Sequence, residues 1–158
     1  MTKLEKLHEE KYFLKYIIHK EYYYFLRNEL SKYTQHGNTS IFKHSKIVAF
    51  NSYVVGNFFE KRFNAKIDFD SLISAAYMHD MFMYDWHQKA NWHKLHGFTH
   101  PKLAALNAKN YCNATPKEQK IIETHMWPLT LTKIPTCKEG WILSISDKIT
   151  TLMEVFGK

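Results

Sequence analysis

Asp70-Ser71-Leu72-Ile73-Ser74-Ala75-Ala76-Tyr77-Met78-His79-Asp80 is an apolar run that closes on an imidazole and a carboxylate. Asp70 offers a side-chain cap, and the centre of Leu72, Ile73, Ala75 and Ala76 suits a buried helix. The stretch predicts a helix from Ser71 to about Met83. A carboxylate buried beside a histidine is costly unless a cation or a proton compensates it. His79-Asp80 is therefore a chemical question as well as a structural one.

The flanks carry the same helical period. Upstream, Ser40 is placed to cap a helix from Ile41 to about Lys61, with Val48, Val55 and Phe59 inward. Gln35-His36-Gly37-Asn38 separates it from an N-terminal segment, Leu4 to Tyr33, that has no glycine or proline. Phe13, Ile17, Tyr24 and Phe25 fall there at helical spacings, so it reads as one long helix or two in tandem. Downstream, Asp85 to His100 is irregular and rich in His and Trp, which marks a loop. Pro101 suits the first position of a helix running to about Tyr111. Thr115-Pro116-Lys117-Glu118 is a capping box that opens a helix to about Met126. Thr136-Cys137-Lys138-Glu139 repeats the Thr-x-x-Glu form and starts a last helix to about Phe156. No segment alternates with period two. The expected fold is all-α, a single-domain bundle of about six helices over residues 1–158, with an N-terminal helical segment (1–34) and a core (35–156).

A chain of 158 residues suits one domain, since a single core at that size buries about two-thirds of the unfolded surface. No apolar run approaches the roughly 20 residues that a membrane span needs, and the opening MTKLEKLHEEK lacks the apolar stretch of a signal peptide. The expectation is a cytoplasmic protein with no membrane partner. Cys112 and Cys137 stand in no metal-binding spacing and predict no disulfide framework. The formal charge of +7 comes almost wholly from dispersed lysines, with Arg27 and Arg62 the only arginines. Base readout favours arginine forks and phosphate tracking favours a basic stripe, so nucleic acid is not the expected partner. The basic field instead attracts small phosphorylated anions. A homodimer is compatible with a chain of this size.

The ten histidines direct attention to imidazole and carboxylate ligands. Asp147 lies inside Trp141-Ile142-Leu143-Ser144-Ile145-Ser146-Asp147-Lys148-Ile149, an acid among core residues. His44 lies one turn inside the helix that Ser40 opens. Each has an ordinary reading, as a helix-end histidine, a solvated aspartate or a core histidine bonded to a carbonyl. Together with His79 and Asp80 they fit one metal site better than separate accidents. Asp85, one helical turn past Asp80 in the expected helix, is placed to orient a ligand or water as a catalytic group, or else simply ends the helix.

This ordered set resembles the HD superfamily of metal-dependent phosphohydrolases over roughly Gln35 to Phe156. That family's motif is a His, an adjacent His-Asp pair and a distant Asp, each on its own helix; the matching positions are His44, His79-Asp80 and Asp147. The stretches Gln35 to Ser40 with His44-Ser45, and His125 to Thr130, look like a bacterial subgroup described only as HD-domain proteins. Some members hold two metals through two further histidines, and His100 and His125 match that order, with Asp80 as the bridge. His96 is the histidine most apt to exchange roles with His100. His87 and His93 are weaker ligand candidates, His36 is a second-sphere or phosphate-facing group, and His8 and His19 are surface or packing residues.

The resemblance implies one or two divalent transition-metal ions (Mn, Fe, Co, Ni or Zn), with Ca disfavoured by these ligands. It also implies hydrolysis of a small phosphate ester by a metal-activated water, with Lys43, Lys94 or Lys148 neutralising charge. Trp86, Trp92, Phe98 and Trp127 either stack a nucleobase, which favours a nucleotide, or seal the bundle ends. The same ligand set also admits a di-iron oxygenase and a non-catalytic nucleotide-binding or sensor module.

Overall fold

The computed structural model describes residues 11–87 and 95–156. Its helices, with one short hairpin, are α1 (Tyr23–Leu30), β1 (Thr34–His36), β2 (Thr39–Ser40), α2 (Ile41–Phe63), α3 (Phe69–Met78), α4 (His96–Cys112), α5 (Pro116–Thr124) and α6 (Lys138–Phe156). The all-α reading holds. β1 and β2 pair antiparallel, Thr34 opposite Ser40, and Gly37 turns between them at φ 56°.

α3 is the axis. Every residue from Leu72 to Met78 is buried, and α2, α5 and α6 pack around it. Gly56 makes the close approach of α2 and α3 possible: a Cβ there would lie 2.7 Å from Phe69 Cε1. The start of α3 ties three helices together. Asp68, its N-cap, accepts from the Ser71 backbone N–H at 3.1 Å. Its carboxylate also accepts from Lys117 of α5 at 2.9 Å, and its own N–H donates to Glu139 of α6 at 2.9 Å.

Several expected boundaries move, each for a local reason. Asp68 caps α3 in place of Asp70, because Phe69 belongs in the core and must already be helical; Asp70 pairs with Lys20 at 2.9 Å instead. α3 stops at Met78, short of Met83. The His79 Nδ1–H donates to the Ala76 carbonyl at 2.8 Å, so the side chain takes over an end-of-helix acceptor. Pro101 is interior to α4, and His100 is thus a helical residue rather than a loop residue. The proline falls in the second turn, where the bond it removes is the one to the Gly97 carbonyl.

The Thr115–Glu118 capping box forms as read, and Ser40 caps α2. The second box does not form as read: α6 begins at Lys138, and Glu139 commits its carboxylate to Asp68. Of the two readings of Leu4 to Tyr33, one helix or two in tandem, the described residues fit the second. Among its described residues, Lys11 to Leu14 are helical, tight turns follow through i→i+3 bonds such as Tyr16 N–H to Phe13, and only α1 continues.

Candidate metal centre

The C-terminal ends of α3 and α5, the first turns of α2, the second turn of α4 and the middle of α6 converge on six buried side chains. His44 comes from α2, Asp147 from α6 and His100 from α4. His79 and His125 are the residues that end α3 and α5. Asp80 follows His79 into the turn. All six expected metal ligands are thus brought together.

The histidines share one device. The Nδ1–H of His79 donates to Ala76, that of His100 to His96 at 2.9 Å, and that of His125 to Ile122 at 2.7 Å. A carbonyl only accepts, so Nδ1 carries a proton and each Nε2 faces the cluster, as a lone pair wherever the ring is neutral. His44 uses a carboxylate for the same purpose: its Nδ1 lies 2.9 Å from Glu154 Oε2. Fixing the rear nitrogen in this way orients metal-bound histidines and raises their basicity.

In front, Asp80 divides the cluster. Its Oδ2 lies 3.2 Å from His79 Nε2 and 3.7 Å from His44 Nε2. Its Oδ1 lies 3.2 Å from His100 Nε2 and 3.6 Å from His125 Nε2. Asp147 Oδ1 completes the first side, 3.1 Å from His44 and 3.5 Å from His79. His44, His79 and Asp147, and likewise His79, Asp80 and His125, present ligand atoms within 4.8 Å of one another.

Two contacts test whether a cation fits. His100 and His125 point their Nε2 lone pairs at each other across 3.1 Å, which is repulsive unless positive charge lies between or beside them. His79 Nε2 is buried and makes no hydrogen bond, although two carboxylate oxygens are near; its attraction to them is one of charge. Both features are what a cation would satisfy, and the cluster could hold a metal ion.

Titration points the same way. Burial opposes charge on His44, but Asp147 and Glu154 outweigh it and raise the imidazole to about 9. Burial is likewise overcome at His79, which Asp80 and Asp147 lift to about 10. His125 goes the other way, lowered to about 4 mainly by burial, with the neighbouring histidines adding to it. The Asp80 and Asp147 carboxyls stay well below the usual carboxylate range despite burial, Asp80 held chiefly by His79 and Asp147 chiefly by His44. Protons on His44 and His79 thus stand where divalent charge would otherwise sit.

Other expectations sort out around this centre. Lys148 of α6 reaches it, donating to the His125 carbonyl and lying 3.4 Å from Asp147 Oδ2; Lys43 is exposed. His96 is a pillar behind the site. It stacks on His100 at 4.5 Å and on Trp86 at 5.0 Å, and its Nδ1 meets the Tyr84 hydroxyl at 2.7 Å. Because α3 ends early, Asp85 is not one turn further along a helix. It is half-buried, and its carboxylate accepts from the His87 backbone N–H at 3.0 Å. Trp127 packs on Trp141, Phe98 is exposed and the His19 Nδ1–H donates to the Lys15 carbonyl. His8, Trp92, His93 and Lys94 lie outside the described residues, as does the side chain of His36.

Two site residues were not read from the sequence. Glu154 backs His44, and its spacing of seven from Asp147 puts both on one face of α6, a signal that could have found it. Gln35, from β1, donates its amide to Asp80 Oδ2 at 2.6 Å; nothing in its local sequence announces that long-range contact. An open depression of about 750 Å³ lies elsewhere, over Asp68, Lys117, Cys137 and Glu139, where Lys117 already pairs with both acids. Compared with protein-family models, with curated proteins and with solved structures, the chain has no match in any of the three. Among the described residues, no helix is long and apolar enough to cross a membrane.

Proposed function

We propose that this chain is a metal-dependent phosphohydrolase with a two-ion centre, acting on a small phosphate ester. The observation that carries the reading is the split of Asp80: its two oxygens face two separate histidine pairs, the arrangement of a bridging carboxylate. The earlier resemblance to HD phosphohydrolases supports it through the same six residues. Imidazole and carboxylate donors suit Mn, Fe, Co, Ni or Zn. Two such ions, when bound, lower the pKa of a shared water and polarise a phosphoryl group.

The chain's own groups do the rest. His44, His79 and Asp147 would hold one ion and His100 with His125 the other, with Asp80 available to both. Gln35 steadies Asp80 through its amide, and Glu154 fixes the His44 ring. Lys148, one-third exposed at the rim, is placed to meet a phosphate oxygen, and the net charge of +7 favours the approach of an anion. Asp85 has no role in this scheme.

Among small esters we favour a nucleotide. Its base would replace the exposed His87 ring, which now leans on Trp86 at 4.1 Å, and stacking of this kind contributes roughly 1–3 kcal/mol per base. The test is elemental analysis of purified protein, then a panel of mononucleotides, cyclic nucleotides, sugar phosphates and single-stranded RNA on wild type, Asp80→Ala and Trp86→Ala. One to two transition-metal ions per chain are expected, with nucleotide turnover that Asp80→Ala abolishes and Trp86→Ala weakens through KM. Protein without transition metal overturns the reading. Metal without turnover turns it to a binding module, and oxygen uptake by iron-loaded protein turns it to an oxygenase.

A further inference from the structure

The outer face of α6 is unlike that of the other helices. Ile145, Ile149, Leu152, Met153 and Phe156 lie on one side of it and are all largely exposed. Over residues 149–156 the one charged group, Glu154, is turned inward to His44. A helix apolar on both faces belongs between two layers, yet among the described residues α2, α3 and α5 cover only one. The face continues onto the C-terminal half of α2. There Phe58, Phe59 and Phe63 form a mutually touching group, with ring centres 5.6–6.1 Å apart. A groove of about 150 Å³, lined almost wholly by apolar atoms of Val55, Phe59, Ile67, Trp141 and Ile145, joins the two helices.

We propose that this two-helix face is the interface with a second copy of the chain. Size argues for that occupant. The eight large side chains are exposed by 39% at Phe59 up to 77% at Phe156. With about 200 Å² for a fully exposed side chain of this kind, they offer roughly 900 Å² of apolar surface. The largest patch on an ordinary monomer is about 300–600 Å², and a stable dimer takes about 800 Å² from each partner. The chain carries +7 overall, yet the eight side chains that make up this area are all uncharged, and Lys138 of the groove is the one cation among its lining residues. Two antiparallel helices laid on their own copy make a four-helix layer, with isologous contacts about a two-fold axis. The layer would also cover the outer side of the helix that holds Asp147 and Glu154.

This inference is independent of metal and of turnover. Sedimentation equilibrium of the full chain from about 1 to 100 μM is expected to give a dimer. The double variant Leu152→Lys/Phe156→Lys is expected to sediment as a monomer and keep its helical circular dichroism, since both side chains are exposed in the single chain. Single substitutions Phe59→Lys and Trp141→Lys provide a second measurement from the other end of the patch, each weakening association at least tenfold. A wild type that stays monomeric at 100 μM overturns the proposal, even if it binds anionic phosphatidylserine vesicles. A dimer that the double variant leaves intact overturns it equally.

Discussion

At its N-terminal end α3 meets Asp68 and Glu139, and at its C-terminal end it meets Asp80 and Asp147. Both pairs come from the same two parts of the chain; Glu139 alone is buried in the first, and both acids are buried in the second. The first pair is answered by the protein itself: Lys117 lies 2.9 Å from Asp68 and 3.5 Å from Glu139, and backbone N–H groups complete the acceptors. The second is surrounded by four imidazoles whose rear nitrogens are already committed and whose front nitrogens are lone pairs or must take up protons. One end of the helix is closed by Lys117, and the other is a cluster that could hold a cation. A buried acid therefore reports function only through what compensates it.

The comparison breaks most sharply at Asp80. Asp80→Ala is expected to reduce bound metal from one or two ions to near zero and to lower phosphatase activity by at least 100-fold. His125→Ala, acting on one side only, is expected to lose about one ion and most activity while the helical spectrum stays unchanged. Mass-spectrometric metal counting on both variants checks this; full metal and turnover in His125→Ala would leave a mononuclear site.

Acidity separates the two ends next. In metal-free protein His44 and His79 titrate at about 9 and 10, above the unfolded value near 6.5. Their contribution to stability is complete below pH 6.5 and is lost as pH rises through 9 to 10. His125, depressed to about 4, works in the other direction: stability falls as pH drops from 6.5 toward 4, where the unfolded imidazole holds a proton that the folded one refuses. Urea unfolding of metal-free protein is thus expected to peak near pH 6.5. Metal must displace the His44 and His79 protons, so its affinity is expected to rise about tenfold per pH unit for each proton released, up to pH 9. Calorimetric titration in two buffers of different ionisation enthalpy counts those protons, and a pH-independent affinity would contradict the ligand assignment.

The smallest effect is at the closed end. Lys117→Met removes a half-exposed ion pair and is expected to cost about 0.2–1 kcal/mol. Thermal unfolding with and without metal checks it: the variant should melt lower by the same amount in both states, and its metal content should be that of wild type.

How much of this could be read from residues alone depends on whether the deciding interaction is local. His79-Asp80 and Asp147 stood out because acids interrupt apolar runs, and His44 because of its place one turn past a readable cap. The Thr115 box was legible because four consecutive residues contain all of it. The early end of α3 was not. It follows from an imidazole taking the Ala76 carbonyl, a contest between side chain and backbone that leaves no mark on composition. Choosing between Asp68 and Asp70 as the cap needed to know that Phe69 is inside. Glu154 stayed hidden because its partner is 110 positions away, and Gln35 because a two-stranded hairpin carries it to Asp80 from outside the bundle.

The two histidines that end α3 and α5 have one more consequence. A helix terminating at a point leaves the negative pole of its peptide dipoles there, worth about half an elementary charge. Here two such poles converge on one cluster. The starts of α2 and α4 reach the same cluster with the opposite sign, so the backbone brings poles of both signs to it, and they persist whichever side-chain ligand is replaced. A cation in the cluster would be favoured by the ends of α3 and α5, and an anion beside it by the starts of α2 and α4.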